Sequence, residues 1–192
     1  MTGYVALTFD DGPDPRHTAA LVQTLRREHA RATLFTIGRN ARTYPRLLRS
    51  AGRAGLWIGN HTWTHPDLTT LAPPRAGAEL RRTQALLRKL AGAAPRLFRP
   101  PYGATGPAVR AAAARLGLTE VLWDVDSRDW AGATTDEIVA SAARLTDGQI
   151  LLLHETSPAA IAAVPRILAD LRGRGLHPGR ICPETGRAVA PQ

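Results

Sequence analysis

Short apolar runs alternate along this chain with stretches whose apolar residues recur every three or four positions, and the two patterns predict strands and helices in turn. Val5-Ala6-Leu7-Thr8-Phe9 predicts a buried strand that stops on Asp10 and Asp11, before a Gly12-Pro13 turn. Leu21, Val22 and Leu25 predict a helix over about residues 17–29, followed by a strand from Ala32 to Ile37 closed by Gly38. A second helix is predicted over about residues 40–54, ending near Gly55, and a third strand at Leu56-Trp57-Ile58. Ala76, Leu80, Thr83, Leu87 and Leu90 share one face of a third helix stopped by Gly92, and Leu97-Phe98 is a fourth strand. Pro107 suits the first turn of a helix that Gly117 ends, and Thr119 to Trp123 is a fifth strand. Thr134 and Glu137 have capping-box spacing, Gln149 to Leu153 is a sixth strand, and Ile161, Val164, Leu168 and Leu171 mark a last helix. Pro165 is expected near the first turn of that helix, and Gly173 to Leu176 leads to a last strand.

This alternation runs through the 192 residues without a linker, repeat or composition break, which predicts one α/β domain, residues 1–192, on a parallel sheet. Such a length buries a substantial core without disulfides or a structural metal. A dinucleotide fingerprint and a P-loop are both missing, since Gly173-Arg174-Gly175-Leu176 has no correctly spaced third glycine. A barrel is the better expectation, because polar clusters follow several different strands, as they do at the mouth of barrel enzymes.

Composition narrows the classes further. Hydrophobic residues at 44% and charged residues at 21% suit a soluble globular chain, and no apolar run approaches the roughly 20 residues that span a bilayer. The net charge of +9 is almost wholly arginine, with Lys89 the single lysine, and no basic stretch interleaves with aromatics, so nucleic acid is not the expected partner. The lone Cys182 rules out an intramolecular disulfide and a cysteine-based zinc cluster. Met1 to Gly3 lead straight into the first strand and leave no room for a secretory leader in this sequence. Arg42, Arg46, Arg49 and Arg53 are spaced to line one face of the second helix, either as a solvated surface or as an attractor for acidic polymers.

The chemistry lies in the clusters at strand ends. Two carboxylates at the end of a buried strand need a partner such as a metal or an arginine, because a carboxylate leaving water otherwise loses its solvation. His61 and His65 are four apart and can meet on one face of a helical turn to hold one metal ion, although Pro66 disfavours helical geometry at His65. With Asp11 they would make an Asp-His-His set with open positions for water and substrate. Arg99, followed by Pro100 and Pro101, is a credible partner for Asp10, and the stiff loop can aim a backbone N–H at a developing oxyanion. Trp123-Asp124-Val125-Asp126-Ser127-Arg128-Asp129-Trp130 lacks the EF-hand ligand pattern; Trp130 offers a flat face to a sugar, while Trp57, Trp63 and Trp123 suit packing or lining. His154 ends the sixth strand where a neighbouring carboxylate would let it act as an acid near neutral pH.

Taken in order, Thr8-Phe9-Asp10-Asp11-Gly12, His61-Thr62-Trp63-Thr64-His65, Arg99-Pro100-Pro101-Tyr102, Asp126-Ser127-Arg128-Asp129-Trp130 and Leu152-Leu153-His154 resemble the five motifs of the polysaccharide deacetylases of carbohydrate esterase family four, the NodB-homology domain. The stretches Leu118 to Trp130 and Thr185 to Pro191 further resemble the bacterial acetylxylan esterase branch. The resemblance implies a distorted (β/α)7 barrel, TIM-like, and one divalent metal ion, zinc or cobalt, on Asp11, His61 and His65. It makes Asp10 the general base and His154 the general acid, with Arg99 positioning Asp10 and Asp129 tuning His154. Tyr102 would supply an oxyanion N–H, and Trp130, Leu152 and Pro101 would contact the substrate. Glu155 departs from the aspartate that many members carry after the histidine, which opens the question of the hydrogen bonding there.

The implied function is metal-dependent hydrolysis of acetyl groups from a polysaccharide, first of all O-acetyl from acetylxylan, with N-deacetylation of chitin oligomers or peptidoglycan as the alternative. An acetylated polysaccharide or oligosaccharide is the implied partner, a monomer the expected state, and a secreted or cell-wall location the family expectation. A serine esterase is the rival mechanism, but none of Ser50, Ser127, Ser141 or Ser157 lies in a Gly-x-Ser-x-Gly elbow. A sugar-binding domain that kept the fold and lost the chemistry is the reading from another class.

Overall fold

Strand β1 (Gly3–Asp10) is the centre of the sheet, and its two faces already separate structure from chemistry. In the computed structural model, which describes residues 2–191, Val5, Leu7 and Phe9 point into the main helix-facing core, while Ala6 joins a second cluster inside the barrel. The period of two therefore carries Thr8 and Asp10 inward with Ala6. Met1 and Gln192, the ends of the expected domain, lie outside the described residues.

The chain continues through α1 (Thr18–Arg27), β2 (Thr33–Thr36), α2 (Gly38–Thr43), α3 (Pro45–Arg53), β3 (Trp57–Asn60), α4 (Pro73–Ala91), β4 (Leu97–Phe98), α5 (Pro107–Ala114), β5 (Thr119–Glu120), β6 (Val125–Asp126), α6 (Thr135–Ala142), β7 (Ile150–His154) and α7 (Pro158–Gly173). Short strands β8 (Leu176–Pro178), β9 (Arg180–Ile181) and β10 (Ala188–Val189) complete it. The sheet runs in the order β5-β4-β3-β2-β1-β7-β6, its ladders all parallel, and β8 also pairs with β1. It is a distorted (β/α)7 barrel, as the resemblance implied. The edge strands β5 and β6 belong to one segment: Val121 N–H donates to the Phe98 carbonyl, and Asp124 N–H donates to the Ile150 carbonyl. The barrel is thus drawn shut by a chain that leaves β4 and joins β7 within a few residues. That crossing is why the expected strand from Thr119 to Trp123 is only two residues long on each side.

Two expectations about helices are corrected by local sterics. The single helix over residues 40–54 is two helices, because Pro45 starts α3 and Tyr44 before it has φ of −121° and ψ of 54°, outside the helical region. Arg42 therefore lies on α2, 5.3 Å over the Trp63 ring, while Arg46, Arg49 and Arg53 lie on α3, so the four do not form one helical stripe. Pro165 sits well inside α7 rather than in its first turn, and its missing N–H leaves the Ile161 carbonyl without the usual helical donor. The strand expected after Gly173 begins at Leu176, and the β9–β10 hairpin carries no alternation long enough to announce it.

The main cluster packs β1, β2 and β7 under α1, α6 and α7, with Leu21, Leu25, Leu151, Leu153, Val164 and Leu168 almost fully buried. Each such side chain contributes about 1.5–3 kcal/mol of transfer free energy. No helix among the described residues is long and apolar enough to cross a membrane. The Thr134 capping box is formed: its hydroxyl oxygen accepts the Glu137 N–H at 3.3 Å, and the Glu137 carboxylate accepts the Thr134 N–H at 2.8 Å. Thr134→Ala is expected to lose about 1 kcal/mol in urea unfolding without changing the sheet, since it removes a cap and nothing from the core. An unchanged unfolding midpoint would show that the box carries no stability.

Candidate active site

The C-terminal ends of β1 and β7 lie side by side, with Asp10 in register with His154. On β7 the alternation sends Leu152 and His154 inward and Leu153 outward, as on β1. A cavity of about 420 Å³ opens there, walled by Asp10, Asp11, His61, His65, Tyr102, Trp123, Asp126, Trp130, Leu152, His154 and Thr156. Arg99, Asp129 and Pro101 are buried and are not part of the wall.

Arg99 is fully buried, and its guanidinium organises the floor. Nη1 donates to Asp10 Oδ1 at 2.8 Å and to Thr8 Oγ1 at 2.7 Å, Nη2 to the Leu122 carbonyl at 2.8 Å, and Nε to the Val121 carbonyl at 3.4 Å. It lies 4.2 Å over the Phe35 ring. A charge this deep requires such a full set of partners. The carbonyls of Val121 and Leu122 are free to serve it because the chain is crossing between sheet edges there.

Asp11, His61 and His65 offer one ligand atom each within 4.8 Å of one another. His65 Nε2 is 3.3 Å and His61 Nε2 3.5 Å from Asp11 Oδ1, which is buried yet accepts no hydrogen bond. An unpartnered carboxylate oxygen facing two imidazole nitrogens is the arrangement a divalent cation would complete, so the residues fit the implied metal. His61 Nδ1 is 2.7 Å from the Arg99 carbonyl; donating its proton there leaves Nε2 as a lone pair toward the site. Burial opposes ionisation of Asp11, yet the imidazoles, His61 first, hold its carboxyl below the usual range. Burial, with the charge of His61, keeps the His65 imidazole below its usual value and hence neutral, the form that binds metal.

The histidine pair does not share a helical turn as expected. It lies on the loop after β3, with Thr62 at φ of 67° and His65 at φ of 64°. Asn60 Oδ1 accepts the Thr62 N–H at 3.0 Å, and the Thr62 hydroxyl accepts the His65 N–H at 3.0 Å. Glu79 of α4 accepts the N–H groups of Trp63 and Thr64 at 2.8 and 2.7 Å. Asp11, at φ of 75°, is held in turn by Asn40, which donates to its carbonyl at 2.9 Å. Left-handed non-glycine residues cost of order 1–3 kcal/mol each, and persist where the surroundings over-determine them. Of the six among the described residues, Asp11, Thr62, His65 and Tyr102 stand on or beside the site. Thr8 was findable, since it lies two before Asp10 on one strand face; Asn40 and Glu79 have no local signal, because they act on loops far away in sequence.

His154 is fixed by Asp129, whose Oδ1 accepts from Nδ1 at 2.8 Å and whose Oδ2 accepts the His154 N–H at 2.7 Å. Burial pulls the imidazole pKa down, but the hydrogen bond and charge of Asp129 more than reverse this and raise it above 6.5. Ser127, one of the serines considered for a nucleophile, donates to Asp129 instead. Trp130 and Tyr102 stand exposed at the mouth, and Asp126 accepts from the Trp130 indole N–H at 3.3 Å. Tyr102 has φ of 61°, and the backbone bonds of its loop run from Gly103 and Ala104 N–H groups, leaving its own N–H out. Glu155 turns to the outer side of β7; it is buried, accepts from the Thr18 hydroxyl, and burial pushes its carboxyl up to about 8.

The polysaccharide deacetylase family model matches residues 2–121, and the chain belongs to that family. It is 42% identical over 192 residues to the bifunctional xylanase/xylan deacetylase of Cellvibrio japonicus, covering 99% of this chain and 29% of that protein. It is 40% identical over 159 residues to the chitooligosaccharide deacetylase of Bradyrhizobium sp. (strain ANU 289), covering 82% of this chain and 73% of that protein. Among solved structures, the family 4 carbohydrate esterase from Streptomyces lividans in complex with acetate superposes with a TM-score of 0.97 at 48% identity, over 99% of this chain and 98% of that one.

The pairing of His154 with Asp129 is open to direct measurement. In histidine-selective NMR titration of the metal-free protein, His154 is expected to titrate above 6.5, and Asp129→Asn to move it downward by removing the charge that holds the proton. A titration that does not move would mean that another group sets it.

Proposed function

We propose that this protein hydrolyses acetyl groups from a polysaccharide with a divalent metal on Asp11, His61 and His65, and that acetylxylan is its first substrate. The observation that carries the reading is the buried Asp11 Oδ1, unpartnered and facing two imidazole nitrogens, beside a carboxylate and an acidic imidazole on the same cavity wall. Held there by Asp11, His61 and His65, a divalent cation would supply Lewis-acid chemistry, polarising the acetyl carbonyl and lowering the pKa of water from 15.7 toward ~7.

The remaining work falls to the chain. Asp10 takes a proton from the attacking water; its other oxygen is committed to Arg99, which keeps it aimed at the cavity. The Tyr102 N–H donates to the carbonyl oxygen as negative charge grows on it. His154, protonated because Asp129 stabilises the imidazolium, gives its Nε2 proton to the departing sugar oxygen. Leu152 and Trp130 shelter the acetyl methyl, and the exposed indole offers a platform to the sugar ring. Similarity to the Cellvibrio xylanase/xylan deacetylase supports acetylxylan as substrate, while the rhizobial chitooligosaccharide deacetylase keeps N-acetyl sugars as the competitor.

Acetate release from acetylxylan, chitin oligomers and peptidoglycan, measured side by side with and without chelator, tests the proposal. Turnover is expected on acetylxylan, lost with chelator and restored by zinc or cobalt. Asp11→Ala, His61→Ala and His65→Ala are expected to abolish it in folded protein, and full activity in any of them under chelation would overturn the metal site. Asp10→Asn and His154→Ala are expected to bind metal and lose about 10²-fold or more in kcat. The rate should fall as pH rises through the His154 pKa, above 6.5, since only the protonated imidazole donates. Sugar binding without chelator-sensitive turnover would instead favour a domain that has lost the chemistry.

A further inference from the structure

The turn that carries Asp10 and Asp11 is held on several sides. Asn40 donates to the Asp11 carbonyl at 2.9 Å, the Ile37 N–H donates to the Gly12 carbonyl at 3.0 Å, and the Glu155 N–H donates to the Asp10 carbonyl at 3.0 Å. The remaining contact is made by the Glu155 side chain. Its carboxyl is 1% exposed, lies outside the cavity wall, and accepts from the hydroxyl of Thr18, which itself accepts the Asp14 N–H at 2.7 Å. The same carboxyl presses on Gly12: a Cβ placed there would sit 1.8 Å from Glu155 Oε1 and 2.1 Å from Cδ. Gly12 is not among the glycines with positive φ, so its backbone would accept alanine. The need for glycine at this position is therefore one of space, and Glu155 is what fills the space.

We propose that Glu155 is a positioning residue: seated against Gly12 and anchored by Thr18, it sets the backbone turn that keeps the Asp11 carboxylate between His61 and His65. The proposal rests on the metal reading above. The length of the side chain matters, because an aspartate is one methylene shorter and would leave a gap behind Gly12, which close-packed interiors do not leave empty without cost. Glutamine has the same shape and keeps an acceptor for Thr18. The role is mechanical, and Glu155 touches neither substrate nor metal.

Zinc titration calorimetry on chelator-stripped protein, with thermal unfolding of the same samples, tests this apart from activity. Glu155→Ala is expected to weaken zinc binding by about 10- to 100-fold, the range for groups that orient metal ligands, and Glu155→Gln to keep it. Gly12→Ala should also weaken zinc binding, but less so in the Glu155→Ala background, where the clash is gone; the two losses are then non-additive. If Glu155→Ala does not fold, Glu155→Asp and Glu155→Gln probe the same contact, with Asp expected to bind zinc more weakly and Gln as wild type. Unchanged zinc affinity in Glu155→Ala, additive losses in the double variant, or equal losses in Gln and Ala would each overturn the positioning role while the wild type still binds zinc. A wild type that binds no zinc would overturn the metal reading with it.

Discussion

The buried ion pair between Arg99 and Asp10 is the constraint around which the molecule is arranged. A guanidinium with no solvent access must find partners for its donors, and removing one partner of such a pair costs roughly 3–5 kcal/mol. Here the partners come from three segments: Asp10 and Thr8 from β1, Val121 and Leu122 from the crossing between β5 and β6, with Phe35 of β2 beneath. The backbone carbonyls that serve Arg99 are those the sheet releases when the chain changes edge. The same carbonyls would be unsatisfied without it, so barrel closure and orientation of Asp10 are one arrangement.

Around that floor the loops that carry the chemistry are strained. Asp11, Thr62, His65 and Tyr102 all adopt left-handed backbone conformations, and all stand on or beside the cavity. Asn40 holds Asp11, Asn60 holds Thr62, and the Thr62 hydroxyl holds His65, while Glu79 ties down Trp63 and Thr64 between the two histidines. A regular helix or strand end would be cheaper, but it would not turn a carboxylate and two imidazoles toward one point. Rigid strands deliver the residues to the rim, and the irregular turns aim them.

Charge is divided between the two sides of the cavity. On one side, burial and the charge of His61 keep His65 neutral, and the facing imidazoles keep Asp11 ionised against its burial, as metal ligands must be. On the other, Asp129 keeps a proton on His154. Two imidazoles within one cavity are thus driven in opposite directions by what each one faces, and an acid and a set of bases coexist near neutral pH.

Much of this was legible in the residues alone. The alternation of apolar runs and helical faces was enough for a parallel α/β barrel, because burial on both sides of a parallel strand leaves a pattern that few other architectures produce. The ordered motifs from Asp10 to His154 pointed to the deacetylase family and to a common site at the strand ends, and the pairs Arg99–Asp10 and Asp129–His154 are in contact as their charges suggested. What the chain could not show is how non-neighbouring segments share atoms. Pro45 dividing a helix is a local effect and could have been foreseen; the interruption between β5 and β6 could not, because it lies where the chain changes sheet edge and two of its carbonyls turn to an arginine more than twenty residues earlier. Asn40 and Glu79 look like ordinary surface polar residues until the fold brings them under the strained turns. Glu155 read as a departure from a motif beside a catalytic histidine. Only the tertiary structure decides that strand alternation turns it away from the site and against Gly12, since the space it fills is made by residues from the opposite end of the chain.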